Sequence, residues 1–377
     1  MSALADEIRH MIMTEGPMGV DRFMSLALGH PRHGYYITRD PFGLAGDFTT
    51  APEISQMFGE LIGLWAAEVW AMMGQPEAVN LVELGPGRGT LMCDALRALR
   101  VVEPFAQAIT VHLVETSPML RTRQHELLEN CGHEVHWHSS FADVPRGAQI
   151  IIANEFFDAL PVRHFIRANA AWHERVLGVD AAGAFMFGLA PEPERGIRAE
   201  AEDGTILEIG AEAHRMMAEI AARIVEDGGA LLAIDYGHVQ TGFGETLQAM
   251  KQHTKVDPLE APGEADLTAH VDFASLSRAA RSSGAQVWGP VMQGDFLTGL
   301  GIFERAAGLK RRADPRQSLD IDRALLRLVS KGREMGIDGQ MTPSMGALFK
   351  VISVTAPGLS QPPGFDTGGR AGQEAEA

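Results

Sequence analysis

Cysteine is scarce in this chain: 377 residues carry two, Cys93 and Cys131, and no C-x-x-C pair. That excludes a disulfide framework and points to a reducing compartment. Long apolar runs are missing as well, since none approaches the ~20 residues that a bilayer span needs. The opening residues, Met1 to Glu7, lack a basic stretch followed by a hydrophobic one. No signal peptide is therefore expected, and the expected location is cytoplasmic. Basic residues are few against acids, 32 Lys and Arg to 49 Asp and Glu, for a formal charge of −17. Nucleic-acid binding needs lysine and arginine to neutralise phosphates, so the balance argues against that class of partner. What is there is 45% hydrophobic content, enough to bury a substantial core in one large α/β domain or two modest ones.

The most informative stretch is Leu81-Val-Glu-Leu-Gly-Pro-Gly-Arg-Gly-Thr-Leu91. A short apolar run reaches the acid Glu83, breaks at Gly85, Gly87 and Gly89, and resumes as the amphipathic stretch Leu91–Leu96. That order describes a buried strand, a tight glycine turn and a helix, with bare backbone open to a nucleotide-like ligand. A dinucleotide fingerprint would place its third glycine at position 90, which is Thr90. The pattern E-x-G-x-G-x-G instead suits S-adenosylmethionine, which has no pyrophosphate to lay on the helix N-terminus. Val111–Glu115 reads as the next strand of a βαβ unit, and Glu115 at its end can accept both ribose hydroxyls.

Around this unit the chain alternates strand and helix signals. Residues 3–30 read as helical about a Gly16-Pro17 break, and Pro52 is expected to open a long helix through Trp65 and Trp70. Further strands are expected at 135–137, 149–153, 230–234, 286–288 and 349–355. Hairpins are expected over 162–210, a long loop over 242–264, and helix over 295–334, with Asp272 capping a helix through Ala280. The fold expected is α/β: a doubly wound sheet of seven strands carrying an N-terminal helical segment and inserted hairpins and helices. Its expected division is an N-terminal helical, lid-like segment (1–75), a core (76–356) with insertions at about 162–210, 238–270 and 294–340, and a disordered tail (357–377).

In an open α/β sheet the ligand lies off the carboxyl ends of the strands. Asn154-Glu-Phe-Phe-Asp158 follows such a strand and gathers amide, two carboxylates and two aromatic rings. Carboxylates such as Glu155 and Asp158 can clamp a guanidinium, and Phe156 or Phe157 can face a sulfonium. Other candidate walls are Asp47–Thr50 with Glu53, Asp235–His238, and Asp266–Asp272, which includes His270. Cys131, His133, His136 and His138 lie close in sequence, but only His136 and His138 would share a strand face, so no metal is expected.

Gly34-Tyr-Tyr, Gly46-Asp-Phe-Thr-Thr-Ala-Pro-Glu, Glu83-Leu-Gly-Pro-Gly-Arg-Gly-Thr-Leu, Asn154-Glu-Phe-Phe-Asp-Ala-Leu-Pro, Asp235-Tyr-Gly and Asp266-Leu-Thr-Ala-His-Val-Asp-Phe occur in this order. Together they resemble the MidA-like family of class I S-adenosylmethionine-dependent methyltransferases, from about residue 5 to 355. The resemblance implies a class I (Rossmann-like) sheet and S-adenosylmethionine as cofactor. It also implies a protein substrate: an arginine on a respiratory complex I core subunit, symmetrically dimethylated in support of complex assembly. Cofactor contacts are then expected from Thr49, Thr50, Glu83, Gly85, Pro86, Gly87, Gly89, Glu115 and Asn154. Asn154, Glu155 and Asp158 are the expected catalytic residues, and Phe157, Asp235 and His270 the expected substrate contacts. Two alternatives stay open: an assembly chaperone that binds the cofactor without turnover, and an NAD-linked oxidoreductase, which Thr90 disfavours.

Overall fold

The computed structural model describes residues 2–39, 50–252, 254–335 and 341–366. Among the described residues the central sheet has a path of seven strands, β1 (Val79–Leu84), β2 (Ile109–Val114), β3 (Val135–His138), β4 (Gln149–Asn154), β5 (Gly229–His238), β6 (Gln286–Met292) and β7 (Phe349–Thr355), and a short eighth, Val271–Asp272, that pairs parallel to the end of β5. The order along that path is β6-β7-β5-β4-β1-β2-β3. β7 runs antiparallel to both neighbours, and the remaining pairings are parallel. The chain winds outward from β1 through β2 to β3, then returns to β4 on the other side of β1. The switch point therefore lies between β1 and β4, where the two outgoing loops part and leave a crevice.

Apolar period two along the strands decides which face holds what. In β4, Ile150 and Ile152 pack with Trp65 of α3 (Gln56–Met72) and Leu91 of α4 (Thr90–Leu99), while Ile151 and Ala153 pack on the opposite face. There they meet Met217 and Ile220 of α6 (Ala211–Asp227) and Leu276 of α7 (Phe273–Ser282), where α5 denotes the intervening helix Pro118–Leu128. A strand buried on both faces reads as a continuous apolar run, and Gln149-Ile-Ile-Ile-Ala153 is one. A third cluster joins α1 (Ala3–Glu15) and α2 (Val20–Gly29) to an antiparallel sheet built from Arg163–Ala168, Ala171–Val179, Phe185–Pro193, Ile206–Ile209 and Met18–Gly19.

Several local expectations need correcting. The helix expected to run from Pro52 is interrupted at Ser55, whose backbone is extended (φ −161°, ψ 136°) and whose hydroxyl accepts from the Met57 N–H at 3.2 Å. A serine that caps a new helix competes with continuing the old one. The polar loop expected over 242–264 contains strands Gln248–Lys251 and Thr254–Val256, which pair as a small antiparallel sheet with Asp266–Thr268. These strands are too short for their alternation to stand out among prolines and glycines. The tail expected to be disordered from Pro357 is placed as far as Asp366, where Phe365 is 7% exposed and packs on Phe296 at 5.4 Å between ring centres. One aromatic can anchor an otherwise polar segment.

Candidate functional site

Beyond the carboxyl ends of β1, β2, β4 and β5 lies a cavity of about 530 Å³. A narrower pocket of about 40 Å³ continues it along the glycine turn, lined by Thr50, Glu83, Gly85, Pro86, Gly87 and Asn154 among others. The turn holds Gly85, Gly87 and Gly89 at φ of 62°, 55° and 85°, the left-handed region that disfavours side chains. At Gly85 a Cβ would stand 3.1 Å from the Phe156 ring, so backbone and aromatic face approach closely there. Thr90, the residue that breaks the dinucleotide spacing, starts α4 and donates its hydroxyl to Glu53 at 2.5 Å.

Glu115 lies just past β2 and is 8% exposed. Its carboxylate accepts from the Ser117 N–H at 2.8 Å and from Gln124 Nε2 at 3.3 Å. Gln124 also donates to the Gly87 carbonyl at 2.6 Å and accepts from the Trp137 indole at 2.9 Å. This buried amide of α5 ties the glycine turn to the acid. Nothing in the sequence around it signals that role.

Glu83 is 3% exposed, and burial followed by the charge of Glu115 pushes its carboxyl up to about 8. Glu83 Oε2 and Asn154 Oδ1 are both buried without a hydrogen-bond partner. Buried oxygens left unpaired cost roughly 1–3 kcal/mol each. Both residues line the glycine-turn pocket, so a cationic donor arriving there would satisfy them. S-adenosylmethionine carries an ammonium and a sulfonium and therefore fits this donor-hungry, acidic turn.

The loop after β4 supplies the opposite wall. Glu155 takes φ 50°, unusual for a residue with a side chain, and Oε1 accepts from the Ala51 N–H at 3.4 Å and Asn154 Nδ2 at 3.3 Å. Burial, then Asp158, pushes its carboxyl up to about 8. Asp158, 6% exposed, is pushed up by burial to about 6, and a hydrogen bond with Tyr236 acts against that rise. Both carboxylates line the large cavity.

The structure divides the remaining expected residues. Thr50 lines both cavities; Thr49, together with Gly46–Phe48, lies outside the described residues. Phe156, rather than Phe157, faces the large cavity; Phe157 is 4% exposed and packs in the core beneath. Asp235 is fully buried, and its Oδ2 accepts from the backbone N–H groups of Phe156, Phe157 and Asp158 at 3.2, 2.9 and 3.2 Å. It holds the catalytic-candidate loop from below instead of lining the cavity. His270 also stays off the cavity wall, its ring edge-on to Tyr236 at 5.5 Å. Tyr36, Tyr236, Asp266 and Thr268 do line it, from segments far apart in sequence.

Comparison with known proteins agrees with this geometry. Residues 61–291 match the family described as "Putative S-adenosyl-L-methionine-dependent methyltransferase". The mitochondrial protein arginine methyltransferase NDUFAF7 of Danio rerio is 40% identical over 81% of this chain and 78% of its own length. Its Homo sapiens counterpart is 36% identical over 92% of this chain and 82% of its own. A Burkholderia thailandensis protein crystallised with S-adenosyl-homocysteine superposes with a TM-score of 0.83, at 28% identity, covering 97% of this chain and 95% of that one. The relatives are named as mitochondrial proteins, which overturns the cytoplasmic location expected from the N-terminus and cysteine content. Among the described residues, no helix is long and apolar enough to cross a membrane. The doubly wound sheet, the glycine turn and these matches agree: this chain belongs to the S-adenosyl-L-methionine-dependent methyltransferase family.

Proposed function

We propose that this enzyme methylates an arginine side chain of a protein. Symmetric dimethylation of an arginine on a respiratory complex I core subunit, in support of assembly, is the finer reading taken from the family resemblance. The observation that carries the proposal is the continuity of one cavity from the glycine turn to the buried carboxylates of the β4 loop. Relatives named as protein arginine methyltransferases support the choice of acceptor.

In this reading Glu83 Oε2 and Asn154 Oδ1 accept from the ammonium of S-adenosylmethionine, backbone at Gly85–Gly87 borders its amino-acid end, and Glu115 accepts from the ribose hydroxyls. Phe156, on the cavity wall beside Gly85, would face the sulfonium. When bound, the cofactor supplies an electrophilic methyl group and leaves as S-adenosylhomocysteine, the sulfur keeping the S–CH3 bonding pair. Glu155 and Asp158 would hold the guanidinium by forked hydrogen bonds and fix which of its nitrogens is presented to the methyl group that the cofactor would supply. A guanidinium (ordinary pKa above ~12) must give up a proton as its nitrogen forms the new bond, and the Asp158 carboxylate accepts it. Asp158 is suited to this because burial raises its carboxyl above the ordinary range and so makes its carboxylate a stronger base.

The test is methyl-labelled cofactor with the purified protein and complex I core subunits, the label located by mass spectrometry. Label on an arginine is expected, with Glu155→Gln reducing turnover by roughly a hundredfold through loss of acceptor positioning. Label on lysine or on no protein overturns the arginine reading. A Glu155→Gln protein that has lost turnover but still supports assembly favours the chaperone alternative.

A further inference from the structure

The cavity is built from more than the sheet's loops. Its outer wall comes from Tyr36, in the short helix after α2, and from Asp266 and Thr268 in the strand Asp266–Thr268. The tyrosine hydroxyl donates to Asp266 Oδ1 at 2.9 Å across a separation of 230 residues. Two further contacts stitch these segments together. Ser2 Oγ donates to the Pro262 carbonyl at 3.1 Å, and Gly263 (φ 80°) lies so near His33 that a Cβ would stand 2.3 Å from its carbonyl oxygen. Tyr35, fully buried beside Tyr36, anchors the helix in the core.

Asp158 and Asp266 are 6% and 5% exposed, and their charges converge on the same two hydroxyls. Tyr36 is held above its ordinary pKa by burial, then by Asp266 and Asp158; Tyr236 is held above its own by burial, then Asp158, with Asp235 and Asp266 adding. Among the described residues, no arginine or lysine forms an ion pair with Asp158. Burying the Asp158 carboxylate here without such a cation is costly, and a planar cation with several N–H donors offsets that cost best. An ammonium would offer fewer and less directional donors.

We propose that the Tyr36–Asp266 pair is the second jaw of the acceptor site, opposite Glu155 and Asp158, and that it selects guanidinium over ammonium acceptors. This rests on the arginine reading and adds substrate-contacting residues to it. Tyr36 Oη turns its hydrogen-bonding partnership between Asp266 and the ligand, while Asp266 accepts from the guanidinium N–H groups and supplies the negative charge. The Gly34-Tyr-Tyr and Asp266-Leu-Thr motifs, which the cofactor chemistry leaves unused, then have a shared purpose.

The test uses two 5′-thioadenosine compounds, one carrying a guanidinoethyl arm on sulfur and one an aminopropyl arm that ends in an ammonium. Their affinities are measured by calorimetry on the full chain, with S-adenosylhomocysteine as the reference. The wild type is expected to prefer the guanidine compound by about tenfold or more. Asp266→Asn should remove most of that preference and Tyr36→Phe part of it, both binding S-adenosylhomocysteine as before. Retention of the full preference in both variants overturns the second jaw. A wild type that binds S-adenosylhomocysteine but shows no guanidine preference overturns the arginine reading itself. Should Asp266→Asn lose S-adenosylhomocysteine affinity through misfolding, Tyr36→Phe, which removes one oxygen, decides.

Discussion

The two ends of the cavity are built in opposite ways. The cofactor end is centred on one local unit, a strand, turn and helix that follow one another within residues 79–99, with Thr50, Glu115 and Asn154 proposed to join it from other segments, and its glycines act through backbone conformation. The proposed acceptor end is assembled from the N-terminal segment, the β4 loop, the end of β5 and the strand Asp266–Thr268, and its wall carries the buried acids Asp158 and Asp266. Local construction makes the first end rigid and sequence-readable.

The sharpest way to break this comparison is at the turn. Gly87→Val forces a branched side chain into a φ of 55° where the ligand must approach. Cofactor affinity should fall by at least about a thousandfold, strain and steric exclusion adding together. Calorimetry against S-adenosylmethionine reads this directly; unchanged affinity would mean that the ligand does not lie on the turn.

The same division explains what the sequence revealed. Strand-turn-helix periodicity and the E-x-G-x-G-x-G spacing are carried by adjacent residues, so the sheet and the glycine turn were legible. Gln124 was not, because its role comes from three partners reached across α5: Gly87, Glu115 and Trp137. Asp235 misled for a related reason. An acid ending a strand beside a crevice looks like a ligand contact, yet its side chain turns beneath the loop to accept three amides. Phe156 and Phe157 are adjacent, so their alternation between cavity and core depends on a backbone that Glu155 bends through positive φ. Pattern alone does not encode that bend.

Asp235→Ala separates support from contact. It leaves three amides of the 156–158 loop without their acceptor and should cost about 3 kcal/mol in stability. Thermal unfolding should shift down clearly, while S-adenosylhomocysteine affinity moves far less. An unchanged unfolding temperature with a raised acceptor KM would reverse the assignment and make Asp235 a substrate contact.

The effect smallest per step of the titration is graded with pH and pulls the ligand-free and ligand-bound protein in opposite directions. Burial raises Glu83 and Glu155 from 4.5 to about 8, so the fold prefers their protonated forms. Their contribution to stability is complete below pH 4.5 and is lost as pH rises through about 8, at most ~1.4 kcal/mol per pH unit for each group. The cationic cofactor prefers ionised Glu83. Its affinity should therefore strengthen with pH over the same interval, by up to about tenfold per unit, and level off above about 8. Calorimetry in buffers of different ionisation enthalpy should register proton release near pH 7, and Glu83→Gln should abolish it. Proton release that persists in Glu83→Gln would move the titration to Glu155, whose carboxylate stands between the two ends of the cavity.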